Sequence, residues 1–463
     1  MPNQANGPEQ RGWVSRIIPI LLFSDNWLSR IGIVLVTSAT VFWLWMLGQG
    51  GTGAGYAGIL QFVLLPVAFF VGLALIPAGV ALDRRQRPKD APGVAFSWKS
   101  EAAKKLLLFV GSVTIINVIL GGAFSYQAVH YMEGNEFCGT ACHSVMSPEF
   151  TAYKNTASHS HVECVACHVG PGATNFVQAK LNGARQLWMI TTGKYARPIP
   201  EPVDRMHDTK EICGTCHSTS IDSPDKLRVV SKFSDDNQLT KTVLMMKIGG
   251  ANSGKGIHGA HVGGGVNIRY ASTADRSSFA WVSRTRAGTT DEYFAPGKNK
   301  DSLSGLVQKE MSCLDCHNRP SHRFELPDRA VDRAMLDGSI PTSLAAIKKN
   351  AVDLLKKEYS QPEAEITAAL QSQYGQQKTE ATAAAQTLAA IYVRNVFPQM
   401  KITWGTYPNH LGHTDSPGCF RCHGSDLAGA NGKQIAQDCG SCHQMLAVDE
   451  ASPKILEDLG VGQ

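Results

Sequence analysis

Residues 138–143 read CGTACH, 164–168 CVACH, 213–217 CGTCH, 313–317 CLDCH, 419–423 CFRCH and 439–443 CGSCH. These six segments hold all twelve cysteines of the 463-residue chain, in pairs, each pair followed at once by histidine. Two thiols on one short turn can form thioethers with the two vinyl groups of a haem, and the histidine that follows is placed to reach its iron. Zinc fingers and disulfides also use paired cysteines, but neither needs a histidine directly after every second cysteine. Histidine is scarce here, with 15 in the chain. Six such followers would arise by chance with a probability on the order of one in 10⁹. The sequence therefore predicts six covalently bound haems c. The thioether cysteines would be Cys138 and Cys142, Cys164 and Cys167, Cys213 and Cys216, Cys313 and Cys316, Cys419 and Cys422, and Cys439 and Cys442. The proximal iron ligands would be His143, His168, His217, His317, His423 and His443. The first motif is one residue wider than the others.

Haem c is attached outside the cytoplasm, so cysteine usage places the chain from about residue 130 onward in a periplasm-like compartment. The N-terminal part reads as a membrane anchor. Residues 31–82 contain no Asp, Glu, Lys or Arg, and Gly48–Tyr56 divides them. Apolar runs at 31–47, 57–82 and 106–124 are each long enough to cross a bilayer, with Pro66 and Pro77 predicting a kink in the second. Arg11, Arg16 and Arg30 precede the first run, and Arg84, Arg85, Arg87, Lys89, Lys99, Lys104 and Lys105 lie between the second and third. The positive-inside rule then puts the N-terminus in the cytoplasm and the haem region in the periplasm of a bacterial inner membrane. No histidine occurs before His130, so these runs offer no bis-histidine site of their own.

The expected fold is three N-terminal transmembrane helices plus a haem-packed, mainly α cytochrome domain with a small β-containing insertion. Its parts would be a cytoplasmic segment (1–30), the anchor (31–126), a three-haem domain (127–220), the insertion (221–312) and a C-terminal three-haem region with a helical scaffold (313–463). Within the insertion, Leu227–Phe233, Lys241–Ile248, Val266–Ala271 and Phe279–Arg284 read as strands. Ile347–Tyr359, Glu363–Tyr374 and Thr379–Phe397 read as helices, with Pro362 in a first turn. The formal net charge of +5 is mild and supports no nucleic-acid partner.

Nine histidines lie outside the motifs: His130, His159, His161, His207, His258, His261, His322, His410 and His413. Six irons needing a sixth ligand make His159, His207, His258, His261, His322 and His413 the distal candidates. His258 and His261 sit in a glycine-rich loop, where the backbone can approach a porphyrin closely. Met146, three residues past His143, is a further candidate through its sulfur. Sequence alone cannot match a distal ligand with its haem.

The segments FCGTACHSVMSPEF, TAYKNTASHSHVECVACHVGPGA, KLNGARQLW and RPIPEPVDRMHDTKEICGTCH resemble the NapC/NirT family of membrane-anchored multihaem quinol dehydrogenases over roughly residues 104–217. The later MSCLDCHNRPSHRFELPDRAV and WGTYPNHLGHTDSPGCFRCHGSDLAG look like extended members of that group. The resemblance implies that quinol, menaquinol or ubiquinol, binds at the membrane edge beside the first haem. It further implies electron passage to a periplasmic or outer-membrane redox partner, with other membrane subunits as further possible partners. The first motif starts only 14 residues after the third apolar run, which independently puts it near the bilayer. His130, Glu133 and Glu136 lie in that zone, and the resemblance adds Lys180, as candidate groups for the quinol protons. The chain departs from the compact family pattern in having three apolar runs, six motifs and the wider first motif.

Two rival functions fit the composition. A terminal reductase of nitrogen oxyanions would need an iron with an open position, often marked by lysine in place of the motif histidine, and no CxxCK occurs. A subunit wiring electrons through a larger respiratory complex would carry the same motifs without a quinone site of its own.

Overall fold

Two apolar stretches near the N-terminus fold as helices α1 (Trp27–Gly48) and α2 (Leu65–Gln86) in the computed structural model of the chain. The structure describes residues 27–48, 64–86, 119, 122–123, 126–127, 129–141, 143–201, 208–218, 222–424 and 426–461. α1 and α2 touch through glycine. A Cβ added at Gly32 would lie 2.7 Å from the Gly72 carbonyl oxygen, and one at Gly72 would lie 2.8 Å from that of Gly32. Only a residue without a side chain allows backbones this close. Ser29 Oγ, on the same face, donates to the Ile76 carbonyl at 3.0 Å.

The expected anchor of spans at 31–47, 57–82 and 106–124 is corrected by the structure. Among the described residues, no helix is long and apolar enough to cross a membrane. α2 contains Pro77 and ends in Asp83-Arg84-Arg85-Gln86; residues 57–63 of the second expected span lie outside the described residues. Its apolar part is about 18 residues, roughly 27 Å at 1.5 Å per residue, against a hydrocarbon core of about 30 Å. α1 carries Ser29 and Arg30 in its first turn and Thr37, Ser38 and Thr40 midway. The third expected span lies almost wholly outside the described residues.

The chain divides into two units, Met1–His143 and Ser144–Gln463. The first also holds the short helix α3 (Asn135–Thr140), which carries Cys138. The second opens with α4 (His143–Asn155), α5 (Cys164–His168), α6 (Ala173–Thr191) and α7 (Thr209–Gly214). Strands β1 (Lys226–Phe233) and β2 (Leu239–Met246) then pair as an antiparallel hairpin. Helix α8 (Gly256–His261) follows, then β3 (Val266–Ser272), β4 (Phe279–Arg286), β5 (Thr289–Phe294) and β6 (Val307–Glu310).

Next come the scaffold helices α9 (Pro327–Leu336), α10 (Ile347–Leu355), α11 (Pro362–Gln373) and α12 (Lys378–Asn395). Their facing stripes bury Ile340, Leu344, Ile347, Leu355, Ile366, Leu370, Leu388 and Ile391 almost completely. α9 and α10 are also joined by charge. Lys348 Nζ donates to Asp332 Oδ1 at 2.7 Å, and Asp332 accepts from the Phe233 amide at 2.9 Å. This ties the β1–β2 hairpin to the scaffold, as does Asn237, whose side chain donates to the Leu344 carbonyl at 2.7 Å.

The chain ends in α13 (Phe420–His423), β7 (Ala428–Gly429), β8 (His443–Glu450) and α14 (Lys454–Asp458). The expectation of a mainly α domain with one β insertion is corrected here too. Among the described residues, eight strands form two antiparallel sheets, in the orders β1-β2-β8 and β6-β3-β4-β5-β7. β7 and β8 come from the C-terminal region, so neither sheet is confined to 221–312. β2 has a free side after pairing with β1, and β8 covers it, burying Val243 against Ala447 and Leu456. A strand alone shows no free edge in sequence; it exists only once the hairpin has formed.

Candidate histidine-paired haem sites

Motifs three, four and five make the same turn. The His217 amide donates to the Cys213 carbonyl at 2.7 Å, the His317 amide to Cys313 at 2.8 Å and the His423 amide to Cys419 at 3.0 Å. This single turn keeps both sulfurs and the imidazole near one another, as thioether attachment requires. Cys142 lies outside the described residues, so the first motif is seen only through Cys138, whose Sγ is 3.9 Å from the Met132 carbonyl oxygen.

The described motif histidines of the second unit each face a histidine from elsewhere. Ring centroids are 6.1 Å apart for His217 and His159, 6.1 Å for His168 and His322, and 6.3 Å for His317 and His258. They are 5.6 Å apart for His423 and His261, and 6.2 Å for His443 and His413. Metal–imidazole bonds of about 2 Å on both sides of one ion put facing nitrogens about 4 Å apart and ring centroids about 6 Å apart. In the tightest pair, the two Nε2 atoms are 3.4 Å apart. Among the described residues no group of three or more His, Cys, Asp or Glu converges on one point. The imidazoles come in twos, which suits the axial positions of a haem and not a tetrahedral zinc.

Local structure turns these rings the right way. Gly256 has φ +69°, and a Cβ there would lie 2.7 Å from the Ile248 carbonyl, so the loop folds flat onto the end of β2. The amides of Ile257 and His258 donate to the carbonyls of Lys247 and Ile248, both at 2.9 Å. α8 is fixed there and presents His258 and His261, three apart on one helix, to two different motifs. The outer nitrogens meet backbone oxygens: His261 Nδ1 meets Ile257 O at 2.7 Å, and His423 Nδ1 meets Ala436 O at 2.7 Å. His159 Nδ1 lies 3.2 Å from Pro320 O. An Nδ1 that donates leaves Nε2 free to bind metal. Partial burial lowers the affinity of His258 and His261 for protons. The neutral imidazole favoured by burial is the form a metal takes.

His322 has a richer setting. Its Nδ1 is 2.9 Å from the Glu149 carbonyl oxygen and 3.5 Å from the Glu149 carboxylate. Arg319 holds that carboxylate at 2.6 Å, reaches Glu201 at 3.1 Å and donates Nε to the His322 carbonyl at 2.6 Å. Its guanidinium stacks on Tyr407, 4.2 Å from the ring centroid. Burial opposes the Arg319 charge, but Glu149 and Glu201 outweigh it and raise its pKa. Burial raises the Glu201 pKa, against the pull of Arg319 and Asn318. Sequence reading missed this group, although Arg319 stands in CHNRPSH, between a motif histidine and His322.

A second network joins two motifs through their variable positions. Buried Asp315, inside the fourth motif, accepts from Tyr270 Oη at 2.7 Å and Arg276 at 2.8 Å. Arg421, inside the fifth, donates to the carbonyls of Asp315 and Arg276. Both motifs are thereby held on the β3–β4 hairpin. The cysteines form a series as well. Thiols of successive motifs lie near enough to raise a neighbour's pKa: Cys216 acts on Cys167, Cys313 on Cys213, Cys419 on Cys316, and Cys419 on Cys442.

Other candidates fall elsewhere. His130 is exposed and stacks on Tyr126, 6.3 Å between centroids. Glu133 is half-buried and Glu136 exposed, both beside or within α3. Lys180 lies on α6, with Nζ 4.8 Å from the Phe176 ring centroid. Met146 is half-buried on α4, and His161 is exposed. His207 lies outside the described residues. His410 is buried without facing a motif histidine, and its Nδ1 has no hydrogen-bond partner among the described residues.

A profile of the NapC/NirT cytochrome c family, N-terminal region, matches residues 99–226. The cytochrome c-type protein ImcH of Geobacter sulfurreducens is 33% identical over 446 residues, covering 91% of this chain and 88% of ImcH. No solved structure matches the chain.

Proposed function

The chain belongs to the NapC/NirT cytochrome c family, and on that premise we propose that it oxidises a membrane quinol and passes the electrons to a periplasmic or outer-membrane acceptor. Six covalently bound haems c would supply the one-electron centres for this transfer. The observation that carries the reading is the set of five facing histidine pairs, at 5.6–6.3 Å, each joining a motif histidine to one from elsewhere. In this reading His159, His322, His258, His261 and His413 are the distal ligands for motifs three, two, four, five and six. Both axial positions are then taken by protein, which favours electron transfer over substrate binding at iron and speaks against a terminal reductase.

The electrostatic influence of one thiol on the next runs from motif two through three, four and five to six, which supports an order in space that follows the sequence. Asp315 and Arg421 hold motifs four and five at a fixed spacing. Backbone carbonyls hold Nδ1 of His159, His261 and His423 and so keep Nε2 turned inward. His143 would hold the first haem, with Met146 as a candidate partner. The quinol would enter near that motif; His130, Glu133 and Glu136, close to it in sequence, and Lys180, by family resemblance, are the candidates to take its protons.

Purified protein should carry six haems c by pyridine haemochrome assay against protein mass. A menaquinol analogue should reduce them, and a quinone-site inhibitor should block the reduction. Six haems that stay oxidised with quinol alone would replace this reading with that of a wiring subunit.

A further inference from the structure

We propose that one face of α6 lies in the headgroup layer of an anionic bilayer. At 100° per residue, Val177, Leu181, Ala184 and Trp188 fall within about 60° of one another and form a stripe along the helix. Val177 is 56% exposed, Leu181 68% and Trp188 67%. The side turned toward the rest of the unit carries half-buried Asn175, Phe176, Ala179, Asn182 and Ile190, and Ile190 packs on the Val145–Phe397 core, so the exposed stripe is apolar surface left over after the helix has packed. Water does not favour that arrangement; a lipid surface does.

Charge identifies the surface. Arg185, exposed, borders the stripe on one side, and Lys180, whose Nζ lies 4.8 Å from the Phe176 ring centroid, borders it on the other, so positive charge flanks both edges. The whole stretch from Cys164 to Pro200 contains Lys180, Arg185, Lys194 and Arg197 and no Asp or Glu. An apolar stripe ending in tryptophan, flanked by bases and free of acids, is the composition of a helix lying in the plane of an anionic interface. A protein partner would meet the same stripe without requiring the absence of acids over so long a stretch.

The proposal rests on the chain working at a bilayer, but not on quinol being its donor. The test uses the full, haem-loaded chain in nanodiscs of phosphatidylcholine and phosphatidylglycerol. Leu181→p-benzoylphenylalanine and Trp188→p-benzoylphenylalanine place a photocrosslinker on the stripe, and Gln186→p-benzoylphenylalanine places one on the far side. The expected result is a phospholipid adduct, read by mass spectrometry, about tenfold more abundant at Leu181 and Trp188 than at Gln186. Arg185→Glu, combined with the Leu181 crosslinker, should lower that adduct several-fold. Equal yields at all three positions, or crosslinks to the chain itself or to a second copy, would overturn the proposal. A chain that fails to join the discs and yields no lipid adduct anywhere would overturn the bilayer reading as well. A disc-bound chain without stripe adducts overturns only the placement of α6.

Discussion

Residues 326–398 and the motif-bearing loops before and after them are filled by different things. The scaffold helices bury whole leucine and isoleucine side chains against one another. Around the motifs, most cysteines and axial histidines are only half-buried or exposed. Helices there are short, such as α5 with 5 residues and α13 with 4. What organises these loops is paired imidazoles about 6 Å apart and a few ion networks. The scaffold is held by transfer of apolar surface from water. The loops have no comparable apolar core of their own, and burying an aromatic macrocycle among them would supply one.

The largest expected effect separates the two directly. In chain made without haem attachment, limited proteolysis should degrade the motif loops and spare a fragment spanning α9 to α12. Uniform degradation of both regions would erase the distinction. Next in size is Asp332→Ala, which strands Lys348 in the scaffold and frees the Phe233 amide. Removing one partner of a buried pair costs about 3–5 kcal/mol, so the denaturant midpoint should fall sharply while the haem spectrum of surviving folded protein stays unchanged.

A smaller effect follows from His410. Burial holds its pKa down to about 4, with Arg421 acting in the same direction. Because the folded value lies below the unfolded one, the contribution is present above about pH 6.5 and is lost as pH falls toward 4. Acid titration of stability should therefore steepen over that window by roughly 1–2 kcal/mol, and His410→Phe should flatten it. An unchanged slope in the variant would assign the acid sensitivity to other groups.

The smallest concerns a single pair. Glu149 places both a carbonyl and a carboxylate at His322 Nδ1, whereas His261 and His423 each meet a carbonyl. A carboxylate makes a ligating imidazole more electron-donating and favours oxidised iron. Glu149→Gln should raise the midpoint potential of one haem by some tens of millivolts, where about 59 mV is tenfold for one electron. Potentiometric titration would show one component displaced and the others unmoved; a uniform shift would point to a general structural change.

How far the sequence was readable follows from the same contrast. Strands near 227, 241, 266 and 279 and helices near 347, 363 and 379 were visible, because alternation and helical spacing are local properties. β8 was not, since His443–Glu450 becomes a strand only by docking on β2. The apolar N-terminal runs overstated the anchor: counting apolar residues registers length, whereas among the described residues no helix is long and apolar enough to cross a membrane. Motif cysteines and histidines were legible from spacing alone. The matching of each to a partner was not, because His322 reaches back to His168 across more than 150 residues. Glu149 and Asp315 gave no signal, since an acidic side chain looks the same in sequence whether it is buried in a network or free in water.

The central proposal is that each of five facing histidine pairs would hold a haem. Near-infrared magnetic circular dichroism and low-temperature electron paramagnetic resonance on the oxidised, haem-loaded chain test it most directly. Five low-spin centres with two imidazole ligands are expected, and His322→Ala should convert one of them to high spin. Fewer than five such centres in the unaltered chain, or a His322→Ala spectrum identical to it, would contradict the account.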